Sequence, residues 1–205
     1  MQLLFDGDPA DPVFVLAHGA GAAMDSRGMT DLASRIAARG IRVVRFEFGY
    51  MAARRSGVRR PPPRAETLID EYRAVVAEVG GRPVIGGRSM GGRVASMMAA
   101  EHPDAVAGLV CVSYPWHPPE KPDQPRIAHL RELTAPTLIV QGTRDPFGSP
   151  AEVAGYDLAP TIELLWLDDG DHDLRPRKAV SGFTATQHLT TAADAVAAFV
   201  KRVTA

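Results

Sequence analysis

Short apolar runs alternate with amphipathic stretches along this chain, the pattern of a parallel sheet covered by helices. Residues 13–17 (Val-Phe-Val-Leu-Ala) read as a buried strand ended by His18-Gly19. Residues 41–48 read as a second, rich in β-branched and aromatic side chains. Residues 83–87, 107–113, 136–140 and 161–167 supply the next four, and residues 1–5 add a candidate edge strand. Between them, Leu68, Tyr72, Val75, Val76 and Val79 line one face of a helix, with Glu71, Arg73 and Glu78 opposite. Leu32 and Ile36 do the same in a shorter helix closed by Gly40. Near the C-terminus Val196, Phe199, Val200 and Val203 align, with Thr191 and Asp194 as a candidate cap. Residues 89–101 form a further helix whose Met97 and Met98 read as core filler. Two stretches carry no regular pattern. Residues 49–64 hold five arginines, no acids and Pro61-Pro62-Pro63, and residues 114–124 are proline-rich around Trp116 and His117.

Composition narrows the picture. The 205 residues are 45% hydrophobic, which is enough for one ordinary core, and no repeat or composition shift divides them, so one domain over 1–205 is expected. Lys plus Arg (23) nearly cancel Asp plus Glu (24), which argues against nucleic-acid binding by bulk charge. No apolar run is long enough for a membrane span, and the first residues lack the pattern of a signal peptide. The single cysteine, Cys111, excludes internal disulfides and any paired-cysteine metal site. A cytoplasmic protein is the expectation.

The chemistry centres on Gly87-Arg88-Ser89-Met90-Gly91, a G-x-S-x-G match set between an apolar strand and a helix. That setting turns the chain sharply through a strained serine, lifts its hydroxyl above the sheet and aims a helix N-terminus at it. A serine nucleophile needs a base, and the base needs an orienting acid. His172 follows the last strand within Asp168-Asp-Gly-Asp-His-Asp173 and is taken as the base. His18 reads as turn support and His102 as a helix terminus, whereas His117, His129 and His188 read as surface or loop residues. Asp145 follows the fifth strand and is taken as the acid, since neighbours of His172 in a tight loop rarely point back at its imidazole. The backbone N–H groups of Met90 and Ala20, with Gly21 close behind, are the expected oxyanion donors. Arg54 and Arg55, with Arg59, Arg60 and Arg64, form a candidate anion-binding rim, and Trp116 is a candidate substrate contact.

His18-Gly19, the elbow at Ser89, Asp145 and His172 together resemble the α/β-hydrolase superfamily over essentially the whole chain. The resemblance implies an α/β fold, a mostly parallel sheet of about six or seven strands with helices on both faces. Within that superfamily the chain is similar to compact, lidless bacterial serine hydrolases. Phe48-Gly49-Tyr50 through Pro61-Pro62-Pro63-Arg64 points to that group, whose eukaryotic relatives include a subunit of the non-specific-lethal complex. Only about residues 114–126 are available after the fourth strand, so no cap domain is expected. Arg88 inside the elbow either pairs with an acid or is solvated. The implied function is hydrolysis of small-molecule carboxylic esters or thioesters through an acyl-enzyme, with no metal or organic cofactor. Two other readings use the same scaffold: a non-catalytic interaction module contacting through the arginine-rich loop, and a cofactor-free perhydrolase or haloperoxidase-like activity. No oligomeric state is implied.

Overall fold

The inner strands are apolar on both faces and find a core on either side, whereas the first and last strands are partly exposed. The computed structural model describes residues 2–205. Its strands are β1 (Leu3–Asp6), β2 (Val13–Ala17), β3 (Arg42–Phe46), β4 (Val84–Arg88), β5 (Gly108–Val112), β6 (Thr137–Gly142) and β7 (Ile162–Leu167). They form one sheet in the order β1-β3-β2-β4-β5-β6-β7. Every pairing is parallel except that of β1 with β3. The connections carry α1 (Arg27–Ala37), α2 (Gly49–Arg55), α3 (Ile69–Val79), α4 (Met90–Glu101), α5 (Pro150–Val153), α6 (Lys178–Ser181) and α7 (Ala185–Thr204).

Strand alternation sorts side chains into two layers. Phe14, Leu16, Val43 and Val110 pack under Leu32 and Ile36 of α1 and Val196, Phe199 and Val200 of α7. Val15, Ala17, Ile85 and Cys111 face Tyr72, Val75 and Val76 of α3 and Val94 and Met98 of α4. This sandwich sends the carboxyl ends of β2, β4, β6 and β7 to one edge, with a loop leaving each.

Three expectations need correction. Residues 49–64 are not wholly irregular, because the first seven form α2. That helix is too short to show a period in the sequence, and it forms because Tyr50 and Met51 are buried while its first N–H, on Gly49, is held by Glu71. The C-terminal helix starts well before Thr191. Its cap is Thr184, which accepts from the Gln187 N–H while the Gln187 side chain reaches back to the Thr184 N–H. Of the expected edge strand 1–5, Met1 lies outside the described residues, and the strand runs one residue further to Asp6. The segment after β5 sends Trp116, Leu130 and Leu133 into the core, so it builds no cap over the sheet edge.

The elbow depends on backbone contact. A Cβ on Gly87 would lie 2.5 Å from the Gly91 carbonyl carbon and 2.7 Å from the Gly92 nitrogen. One on Gly91 would lie 2.5 Å from the His18 carbonyl oxygen. Neither clash can be relieved by turning a side chain, so α4 must move off β2 and β4. Gly87→Ala is expected to lower the unfolding free energy by about 1–3 kcal/mol, the usual cost of overpacking. Urea denaturation checks this, and a variant as stable as the parent would show that the close approach is not required.

Candidate active site

Ser89 is the residue at which β4 becomes α4, and its φ of 51° and ψ of −119° lie where non-glycine residues are rarely found. Holding a serine there costs on the order of 1–3 kcal/mol, offset by the packing around it. Its N–H is tied to the Val112 carbonyl at 2.9 Å, which leaves only the side chain free to react. Ser89 Oγ lies 2.9 Å from His172 Nε2, and His172 Nδ1 lies 2.8 Å from Asp145 Oδ2. The same Oδ2 accepts from Gln141 Nε2 at 2.7 Å, while Oδ1 accepts from the Phe147 N–H at 2.9 Å. Asp145 is buried, so these donors replace water around its carboxylate and fix the oxygen that His172 meets. The Phe147 ring packs over the imidazole with centroids 4.4 Å apart.

Three of the four acids around His172 are engaged elsewhere. Asp169 is buried and pairs with Arg177 and Arg144; hydrogen bonds from Arg177 hold its carboxyl down to about 2. Asp171 Oδ1 accepts the N–H groups of Asp173 and Arg175 at 2.8 and 2.9 Å. Asp173 pairs with Arg88, and Arg88 also reaches the His172 carbonyl at 3.3 Å. Thus the arginine of the elbow clamps the histidine loop, resolving whether it is paired or solvated.

Among the other histidines, His18 is buried, and the Phe48 N–H donates to its Nε2 at 3.2 Å. Its Nδ1 must then carry the proton, donated to the Gly19 carbonyl at 2.7 Å. Burial pushes its pKa down, so it stays neutral and serves the turn. His102 ends α4. The surface reading of His117 and His188 is wrong, since both are buried; His188 sits inside α7 and bonds the Leu174 carbonyl at 3.0 Å. His129 is half-buried and meets Ser96 Oγ at 2.8 Å.

His129 has a consequence for stability. Burial, with the Arg93 charge behind it, lowers its pKa from 6.5 to about 4. The unfolded state therefore binds the extra proton first, and stability falls as pH drops from the unfolded value towards the folded one. The contribution is full above the unfolded value and is lost across that window, by at most about 3 kcal/mol. Urea midpoints measured across the window should fall in the parent and fall less in His129→Gln. Equal slopes would exclude this histidine as the cause.

The Met90 and Ala20 N–H groups have no protein acceptor among the described residues, and both residues line a cleft with Ser89. Tyr50 Oη donates to the Ala20 carbonyl at 3.1 Å and orients that loop; burial raises the Tyr50 hydroxyl to about 12, so it remains a donor. Two clefts flank the serine. One, of about 320 Å³, is lined by Pro63, Arg64, Glu66, Met90, Arg93, Pro115, Arg126 and Phe147. The other, of about 310 Å³, is lined by Gly19, Gly21, Ala22, Met29, Arg88, His172 and Asp173. A cavity of about 360 Å³ between α1 and the start of α7 reaches Arg88 but not Ser89.

The expected substrate contacts are rearranged. Arg55 is not part of a free rim, because Glu47 holds it through two bonds of 2.8 Å and Asp25 lies 3.0 Å away. Arg54 donates to the Arg60 carbonyl at 3.2 Å and lies 5.8 Å from the centre of the Tyr50 ring. Trp116 has no exposed surface, packed edge-on to Tyr114 and against Gly148, so its indole cannot touch a substrate in either cleft. Of the predicted arginines only Arg64 lines a cleft containing Ser89. Phe147, Gln141, Arg93 and Arg126 gave no motif signal and reach the site through the fold. Among the described residues no group of three or more His, Cys, Asp or Glu is placed to hold a metal ion, and no helix is long and apolar enough to cross a membrane.

The family model described as "Alpha/beta hydrolase domain" matches residues 10–201. Est1E from Butyrivibrio proteoclasticus superposes with a TM-score of 0.74 at 16% identity, over 98% of this chain and 93% of that one. An esterase domain from a Rhodothermus marinus protein gives 0.68 at 16%, over 98% and 99%. An α/β serine hydrolase without lid from Xanthomonas campestris gives 0.69 at 20%, over 98% and 88%. At these identities the structures speak for the fold, and the family match covers nearly the whole sequence. The chain belongs to the alpha/beta hydrolase family.

Proposed function

We propose that this chain is a serine hydrolase cleaving carboxylic esters or thioesters through an acyl-enzyme. The observation that carries the reading is the hydrogen-bonded line from Asp145 through His172 to Ser89, at 2.8 and 2.9 Å, on a strained elbow. In this scheme Ser89 Oγ attacks the carbonyl as His172 Nε2 takes its proton. Asp145 holds Nδ1–H and stabilises the imidazolium that forms. The tetrahedral oxygen is received by the Met90 and Ala20 N–H groups, whose lack of a protein acceptor leaves them free for it. His172 then protonates the leaving group, and water repeats the cycle on the acyl-serine.

The arginine-rich segment offers a protein partner less than its composition suggests, since Arg54 and Arg55 both bond within their own fold. The reading is tested by incubating the purified protein with a panel of esters, thioesters and lactones, beside Ser89→Ala. Turnover confined to the parent supports it. A parent inert to every member, or turnover equal in both proteins, contradicts it.

A further inference from the structure

The cleft on the Met90 side of Ser89 carries an excess of positive charge that acyl transfer itself does not need. Arg64, Arg93 and Arg126 line it against a single carboxylate, Glu66. Glu66 is taken by Arg93, and Arg93 Nε remains buried without a partner. Arg64 and Arg126 enter the hydrogen-bond network through their backbones, their carbonyls accepting from Thr67 at 2.8 Å and Tyr114 at 2.9 Å. Both guanidiniums are left unpaired among the described residues. Burial first, and then the nearby Arg93 charge, push the Arg126 pKa down. Arginine does not release its proton under ordinary conditions, so a bound anion is the group that would offset these neighbouring charges.

The geometry also says which part of a substrate enters. A leaving group must take its proton from His172 Nε2, and His172 lines the opposite cleft. The acyl group therefore extends past Met90 towards the arginines. Pro63, Pro115 and Phe147 flank that path and suit a short methylene chain.

We propose that the acyl group of the substrate ends in a carboxylate held by Arg126 and Arg64 beside Arg93, so that the substrates are half-esters of short dicarboxylic acids. The proposal rests on the serine-hydrolase reading and specifies its substrate class. A long apolar acyl chain would have to desolvate these charges without replacing their hydrogen bonds.

The test compares the para-nitrophenyl half-ester of glutaric acid with a twin whose second carboxyl is capped as a methyl ester. At low salt the parent is expected to favour the half-ester by about tenfold in kcat/KM, as charge-assisted hydrogen bonds would give. Arg126→Gln, and more fully Arg64→Gln with Arg126→Gln, should bring the ratio towards unity, and added salt should erode it. A parent ratio at or below unity, or one unmoved by the substitutions, overturns the proposal. Binding of both compounds to Ser89→Ala, read by calorimetry, tests the subsite without chemistry. About tenfold tighter binding of the half-ester, lost with Arg126→Gln, supports it; equal binding overturns it. Selective binding without turnover by the parent would reject the hydrolase reading and keep the subsite.

Discussion

Replacing Ser89 with alanine is expected to remove about 10⁴–10⁶ of kcat on any ester that the parent hydrolyses. Alanine keeps the strand-turn-helix backbone and the polar line behind it, because the Ser89 side chain bonds only His172 Nε2. Folding should be little disturbed and the midpoint of urea unfolding close to that of the parent. The loss then lies in chemistry. His172 would have no hydroxyl to deprotonate, and only the N–H donors and binding would remain. Progress curves under single-turnover conditions separate this from weaker binding. A variant with more than about a hundredth of parental kcat would require another nucleophile.

The second large effect separates the acids around His172. Asp145→Asn is expected to lower kcat by about 10²–10⁴, since an amide can present N–H where the imidazole needs an acceptor. The nearby Gln141 Nε2 worsens this, because its donor would face an amide at 2.7 Å instead of a carboxylate. Asp171→Asn should cost less than about tenfold, because Asp171 accepts two backbone N–H groups of its own loop. Measuring kcat for both variants on one ester checks the ranking. The reverse ranking would transfer the orienting role to the loop.

Parts of this arrangement were legible in the sequence for identifiable physical reasons. The inner strands are buried on both faces, so each stands out as an unbroken apolar run. The elbow is legible because backbone crowding at Gly87 and Gly91 leaves no room for a Cβ and so imposes glycine at fixed offsets from Ser89. Asp145 and His172 each follow a strand end, so their delivery to one edge follows from the parallel topology. What was not legible depends on contacts between distant segments. Trp116 lies in a proline-rich stretch that reads as an exposed loop, yet Gly148 gives its ring a close seat and the Arg126 N–H bonds its carbonyl at 2.7 Å. Arg88 and Asp173 are brought together only once β4 and β7 lie in one sheet. The five arginines of residues 49–64 look alike in sequence, but a short helix pairs Arg55 with Glu47 and Asp25, sets Arg54 on the Arg60 carbonyl and leaves Arg64 at the cleft. Arg93 and Arg126 join Arg64 there from α4 and from the segment after β5.

The most direct measurement of the central claim is covalent labelling with a fluorophosphonate, read by intact mass and then by peptide mapping. One adduct per chain is expected, located on Ser89, absent from Ser89→Ala and slowed in His172→Ala. An adduct on another residue, or labelling that persists in Ser89→Ala, would contradict it.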